Sequence, residues 1–170
     1  MCIRDSEYIV TEAARAINDD WSIEASLADL AATLDESRFS DEALVRRAIN
    51  ANVRVGDQLS LDRLINFAER NTAPAEMRAE ALAALAHWAE PSLHDRVDGR
   101  YRGVVKRDKA PVIQAMASKI GTYLSDAKSE VVIAGMQIAG QMGMTDQSSC
   151  LLYTSPSPRD ATLSRMPSSA

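Results

Sequence analysis

Apolar positions recur every three or four residues through most of this chain, the period of a helix with one buried face. In residues 7–19, EYIVTEAARAIND, the stripe is Val10, Ala13, Ala14 and Ile17. Ile23, Leu27, Leu30, Ala31 and Leu34 carry the same period and predict a second helix over 23–34, followed by a polar loop at 35–40. Asp41 is placed to cap a third helix running to about residue 55, with Leu44, Val45, Ala48, Ile49 and Asn52 inward and Gly56 as its stop. Leu61, Leu64, Ile65 and Ala68 mark a fourth. A fifth is expected over 74–89, with Thr72 as cap, Pro74 in the first turn and a stripe of Met77, Ala81, Leu85 and Trp88. Residues 109–124 and 127–143 predict two more, through Val112, Met116, Ile120 and Leu124, then Val131, Val132, Ile138 and Met142. Gly135 and Gly140 inside the last helix each cost about 1 kcal/mol against Ala, a cost that close helix contact offsets unless this end is frayed. The buried set expected from these stripes is Ile17, Leu30, Ile49, Leu64, Leu82, Leu85, Ile113 and Ile120.

The segments also resemble one another. Arg15-Ala16-Ile17-Asn18 recurs as Arg47-Ala48-Ile49-Asn50, 32 residues later and at the same place in the first helix of a pair. Aligning Leu85 with Ile49 gives a next interval of 36. Both are a little short of the roughly 40 residues of HEAT and armadillo units. One helix pair has too little apolar surface to fold alone, so pairs must stack on neighbours. The expected fold is therefore all-α, a HEAT/armadillo-like α-solenoid of antiparallel helix pairs. The composition agrees: 46% of residues are hydrophobic but only 5% aromatic, which favours helices packed through small aliphatic side chains.

Two ends break the pattern. Residues 1–6 and 150–170, the latter CLLYTSPSPRDATLSRMPSSA, have no helical period and resemble translated sequencing-adapter read-through; a natural Ser/Pro-rich tail is the alternative. The helical domain is then 7–149, with an insertion at 90–108. Both cysteines, Cys2 and Cys150, fall in the two ends, so the body has none for a disulfide, a thiolate metal site, a CxxCH or a nucleophile. The whole chain carries a net charge of −5, which disfavours general nucleic-acid binding. No apolar run reaches the roughly 20 residues of a membrane span.

Chemistry-bearing motifs are not found. There is no phosphate-binding glycine loop, HExxH, nucleophile elbow or paired histidine spacing, so no catalytic, cofactor-binding or metal-binding residue is assigned and no enzyme activity or cofactor is expected of this piece. His87 beside Trp88 reads as a partly buried, hydrogen-bonded histidine. Asp95, Asp98 and Gly99 after His94 read as a turn, because further calcium ligands do not follow. Met136, Met142 and Met144 read as core filler. The insertion alone has local character: Arg96, Arg100, Arg102, Lys106, Arg107 and Lys109 make a basic island on an acidic body. It reads either as an ordinary solvated loop or as a docking strip for an acidic protein partner, formed by Arg96, Arg100, Tyr101, Arg102, Lys106 and Arg107. In the docking reading Pro91 stops the fifth helix, Val97, Tyr101, Val104 and Val105 anchor the loop, and the arginines point outward.

At this insertion a resemblance appears. RAEALAALAHWAEPSLHDRVDGRYR, residues 78–102, preceded by EAARAINDD and LVRRAINANVRVG, resembles the HEAT-like region of large bacterial multidomain proteins described as membrane-bound or secreted dehydrogenases. The likeness runs over about residues 7–144, and its most distinctive parts are Trp88-Ala89-x-Pro91 and Asp95-Arg96-Val97-x-Gly99-x-Tyr101-Arg102. Such proteins join a sugar-dehydrogenase-like β-propeller, the HEAT-like repeat and a c-type cytochrome domain. The resemblance implies a non-catalytic scaffold fragment linking the redox domains of a periplasmic or cell-surface protein, with cofactor residues outside this piece. The alternative is a free-standing HEAT-repeat adaptor, for which a cytoplasmic location would serve equally.

One expectation concerns the last segment alone. Residues 151–170, with Pro156, Pro158 and Pro167 and no amphipathic period, should add nothing to the core. Deleting them should leave the melting temperature within roughly 2 °C, less than a 1 kcal/mol loss would cause; a larger fall would show a packed tail.

Overall fold

The structure, a computed structural model, describes residues 6–144, apart from the side chains of Trp21 and Ser22. The last segment considered above thus lies outside the described residues. Among those residues the chain forms eight α-helices and no named strand. They are α1 (Glu7–Asp19), α2 (Leu27–Ala32), α3 (Glu42–Val55), α4 (Gln58–Glu69), α5 (Ala75–Ala86), α6 (Ala110–Met116), α7 (Ile120–Leu124) and α8 (Ser129–Met142). The all-helical class expected from the periodicity is what the chain adopts.

Helix α3 is the hub. It packs on α1, α2, α4 and α5, and α5 in turn packs on α8, so α1, α3, α5 and α8 meet in succession. Contact on several sides explains why Ala48, Ile49, Asn50, Ala51, Asn52 and Val53 are all buried although consecutive residues face every side of a helix. Its two ends follow the sequence. The Asp41 carboxylate accepts the Leu44 amide at 3.0 Å, and Gly56 takes the left-handed conformation at φ 68° while its amide bonds to Asn52 O. Asp57 caps α4 the same way, through the Ser60 amide at 2.7 Å.

Elsewhere the periodicity is right and the boundaries are not. Residues 23–34 are not one helix: a 3₁₀ segment, Trp21–Ser26, bends at Ile23 before α2 begins, and Thr33–Asp35 closes it with a second 3₁₀ turn. Thr33 Oγ1 bonds back to Leu30 O at 2.7 Å, supplying that carbonyl from the side chain. Leu27, Leu30, Ala31 and Leu34 still reach the core, because tertiary packing and not helical continuity places them. Thr72 does not cap α5; Pro74 occupies the cap position without a side-chain bond, and its carbonyl receives the Met77 and Arg78 amides. The fifth helix ends at Ala86, three residues short of the expected end, as the chain turns to put Trp88 into the core.

The stretch expected over 109–124 is two helices. Between α6 and α7 the backbone tightens, with Lys119 N bonding to Met116 O and Thr122 N to Lys119 O. This break rotates the stripe, so Tyr123 is buried in place of Leu124, beside Val112, Met116 and Ile120. Of the eight residues expected to be buried, Leu30, Ile49, Leu64, Leu82, Leu85 and Ile120 are, while Ile17 and Ile113 pack on the core but keep partial exposure. The two glycines of α8 differ. A Cβ at Gly135 would lie 3.1 Å from Tyr123 Cβ, so this glycine lets α8 approach α7 closely; at Gly140 no atom lies within 4 Å. Met142 is buried and Met144 packs on the core, but Met136 is exposed.

Gly56 is under a double constraint. Its positive φ disfavours any Cβ, and a Cβ there would collide with the Arg107 guanidinium, which is held by Val53 O and the Trp88 ring. Gly56→Ala should therefore cost about 2 kcal/mol, measured as a lower urea midpoint with unchanged slope; an unshifted midpoint would show that neither constraint holds.

Candidate functional site

The basic insertion is not a loose loop. Arg102 N bonds to Leu93 O at 2.7 Å and Asp95 N to Arg100 O at 2.8 Å, making a small antiparallel hairpin in which His94 bridges Tyr101. The turn falls at Asp98-Gly99, where the sequence placed it, with Gly99 at φ 72°. Asp95 organises the turn by accepting the Val97 and Asp98 amides on Oδ1. Its other oxygen faces inward and accepts from Asn50 and Arg102, each at 2.8 Å.

This inward face extends into the helices. Asn50 Nδ2 also donates to Asn18 Oδ1 at 2.8 Å, and Asn18 Nδ2 to Asp19, which is paired with Arg47 at 3.0 Å. Arg102 additionally meets Asp98 at 3.3 Å and the Asn18 carbonyl at 3.2 Å, near the end of α1. Asn18 and Asn50 are the fourth residues of the two repeated tetrapeptides, so equivalent positions of the repeat touch directly. Burial pushes the Asp95 carboxyl up, but the bonds from Asn50, the Val97 and Asp98 amides and Arg102 outweigh it and hold it below the ordinary carboxylate range.

Arg107 fastens the other end of the insertion. Its guanidinium lies over the Trp88 ring, 5.0 Å from the centroid, against Gly56, and Nη2 donates to Val53 O in the last turn of α3 at 2.7 Å. A cation there satisfies an unpaired carbonyl and complements the negative end of the helix dipole. Burial draws the Arg107 pKa down from its usual value.

The expected orientation of the insertion is therefore corrected. Arg102 and Arg107 turn inward and serve the fold, because unpaired carbonyls and a buried carboxylate attract them more than solvent does. Tyr101 and Val104, expected as anchors, are exposed, whereas Val97 and Val105 are only partly covered. Arg96, Arg100 and Lys106 face outward, with Arg96 held by Glu80 at 2.9 Å and the others in long pairs with Asp98 and Glu90. Arg100 also donates to the Asp19 carbonyl. His87, expected to be partly buried, is exposed just beyond α5, and His94 meets Tyr101 edge-on at 6.0 Å.

Between the insertion and the end of α3 lies an open cleft of about 170 Å³. Arg54, which the sequence did not single out, forms one wall with Arg96, Arg102 and Arg107 nearby. Its only sequence signal is a position one turn beyond Asn50, on the same side of α3. Among the described residues, no group of three or more His, Cys, Asp and Glu side chains is placed to hold a metal, and no helix is long and apolar enough to cross a membrane. Comparison of the chain with models of protein families, with curated proteins and with solved structures found no match.

Asp95 offers a direct test of the buried network. Because its pKa is depressed on folding, its stabilisation is complete above the unfolded value of about 3.9 and is lost as pH falls through the folded one. Asp95→Asn should cost about 3 kcal/mol at pH 7 by removing the closer counterion of Arg102 and leaving it only the longer Asp98 contact, and the gap from the native protein should narrow below about pH 4. Urea titrations across pH would reject this if the gap were constant.

Proposed function

We propose that the chain is a non-catalytic helical-repeat scaffold whose helix pairs stack as HEAT- or armadillo-like units and whose insertion docks an acidic protein surface. The observation that carries the repeat reading is the Asn18–Asn50 hydrogen bond. Two residues 32 apart, at the same position of a repeated tetrapeptide, meet side chain to side chain, as successive units of a stacked array do. In the parent protein this scaffold links a dehydrogenase-like domain to a cytochrome c domain and orients them, as the family resemblance implies.

The outer face of the hairpin supports the docking role. Leu93, Tyr101 and Val104 are exposed, Tyr101 by 60% and Val104 by 69%, and Arg96, Arg100 and Lys106 are on the same segment. Exposed aromatic and aliphatic side chains with basic neighbours suit a partner that brings acidic groups around an apolar contact. The rigid hairpin lowers the ordering cost of such an encounter.

The decisive variant leaves the inward arginines intact. Replacing Arg100, Tyr101 and Lys106 together by Ala should weaken association with the flanking propeller and cytochrome domains at least about tenfold at low salt, with a smaller difference at high salt. The melting temperature should stay within roughly 2 °C, since exposed side chains contribute within about 0.5 kcal/mol. Unchanged affinity at low salt in a binding titration would reject the docking role.

A further inference from the structure

Helix α1 keeps its more apolar side away from the rest of the fold. Thr11, Ala14 and Asn18 are the residues it buries, two of them polar. Ile9 is 43% exposed, Ala13 and Ala16 are exposed, and Ile17 is only partly covered. Spaced by four, three and one, these residues form a single stripe along the helix. Ile9, Ala13 and Ile17 line an open groove of about 580 Å³, whose opposite wall is made by Leu30 of α2, Thr33 and Phe39.

The repeated tetrapeptide supplies a filled counterpart. Its offset of 32 residues matches Ala13, Ala16 and Ile17 of α1 to Val45, Ala48 and Ile49 of α3, all of which are buried. That side of α3 is covered by the segment before it. Thr33, Leu34 and Phe39 lie against Leu44, Val45 and Ala48 and against Phe67 of α4, leaving a gap of only about 10 Å³. Asn52, on the same side of α3, donates to Ala31 O of α2 at 2.9 Å, and Arg70, just beyond α4, donates to Leu34 O at 3.1 Å. The groove between α3 and α4 is thus filled by α2 and the turn after it, while the corresponding groove between α1 and α2 is open.

We infer that the α1–α2 groove is an interaction surface for the second helix of another helix pair of the same repeat, seated as α2 is seated on α3 and α4; the assignment rests on the repeat reading proposed above. A fitting helix carries apolar residues at the spacing of Leu27, Leu30, Ala31 and Leu34, the positions through which α2 enters the core. Of the charged groups at the rim, Glu36 and Arg38 pair with each other at 3.0 Å and leave only Asp29, so apolar burial is what holds the occupant. The docking strip is a separate surface, since it belongs to the hairpin and this groove to the first helix pair.

The test is a lengthened full chain in which residues 10–41 occur twice in succession, so that Val10 of the second unit follows Asp41 as Glu42 does and a new α2 precedes the second α1 at the natural spacing. The lengthened chain should melt in a single transition at a higher temperature, with a urea slope greater by roughly a fifth, because the added unit buries surface against the old one. Ala13→Glu with Ala16→Glu in the second unit should abolish both gains. In the ordinary chain the same pair should leave the melting temperature within roughly 2 °C, since both residues are exposed. An unchanged slope, a separate lower transition for the added unit, or gains that survive the glutamates would overturn the assignment. A dimer of the ordinary chain in sedimentation that the glutamate pair dissociates would also overturn it, by giving the groove to a second copy. A double-mutant cycle on Asn18 and Asn50 in the ordinary chain separates the two ideas: coupling there without any gain from the added unit defeats this assignment alone, and the absence of both defeats the repeat reading as well.

Discussion

The last carbonyls of an α-helix have no partner within the helix, and where short helices pack against one another many such ends are covered by neighbours before water can reach them. This constraint organises the molecule. Arg102 reaches Asn18 O at the end of α1, and Asn52 reaches Ala31 O at the end of α2. Arg107 reaches Val53 O at the end of α3, and Arg78 reaches Ala68 O at the end of α4. Each donor comes from another element, so each bond that completes one helix also fixes its neighbour. Arg78 shows the accompanying requirement: buried at the start of α5, it needs Asp126 at 2.8 Å to balance its charge.

The insertion at 90–108 follows from the same demand. It delivers Arg102 and Arg107 to two helix ends, and Asp95 travels with them as the counterion. A carboxylate this enclosed is costly unless every lone pair is used, and Asp95 is met by two amides, an asparagine and a guanidinium. What resembles a basic surface island when counted along the chain is, in space, two populations of cations. One serves the fold, and the other, Arg96, Arg100, Lys106 and Lys109, remains on the surface with Tyr101 among them.

That division shapes the functional reading. A scaffold of the kind proposed would act by holding surfaces in fixed relation, and the candidate interaction surface is pinned to α1 and α3 by a buried polar chain. The same chain passes through Asn18 and Asn50, so the contact between repeat-equivalent positions and the anchoring of the insertion are one network. Arg54 stands at its edge, where the helices and the hairpin leave a cleft between them.

The sequence by itself determined the helical class, the caps at Asp41 and Gly56, the turn at Asp98-Gly99 and most of the buried aliphatic positions. These depend on period, intrinsic preference and short-range hydrogen bonds, all carried by residues close in the chain. It also displayed the repeated tetrapeptide, though not that its asparagines would meet. Only the tertiary structure decided the bend at Ile23, the break before α7, the early end of α5 and the inward course of Arg102 and Arg107. The last three answer to partners distant in sequence, such as Tyr123 packing beneath Gly135 or Arg107 lying between Trp88 and Gly56. An arginine's charge is visible in one dimension, but whether it faces water or a helix end depends on which carbonyls the packing leaves unpaired.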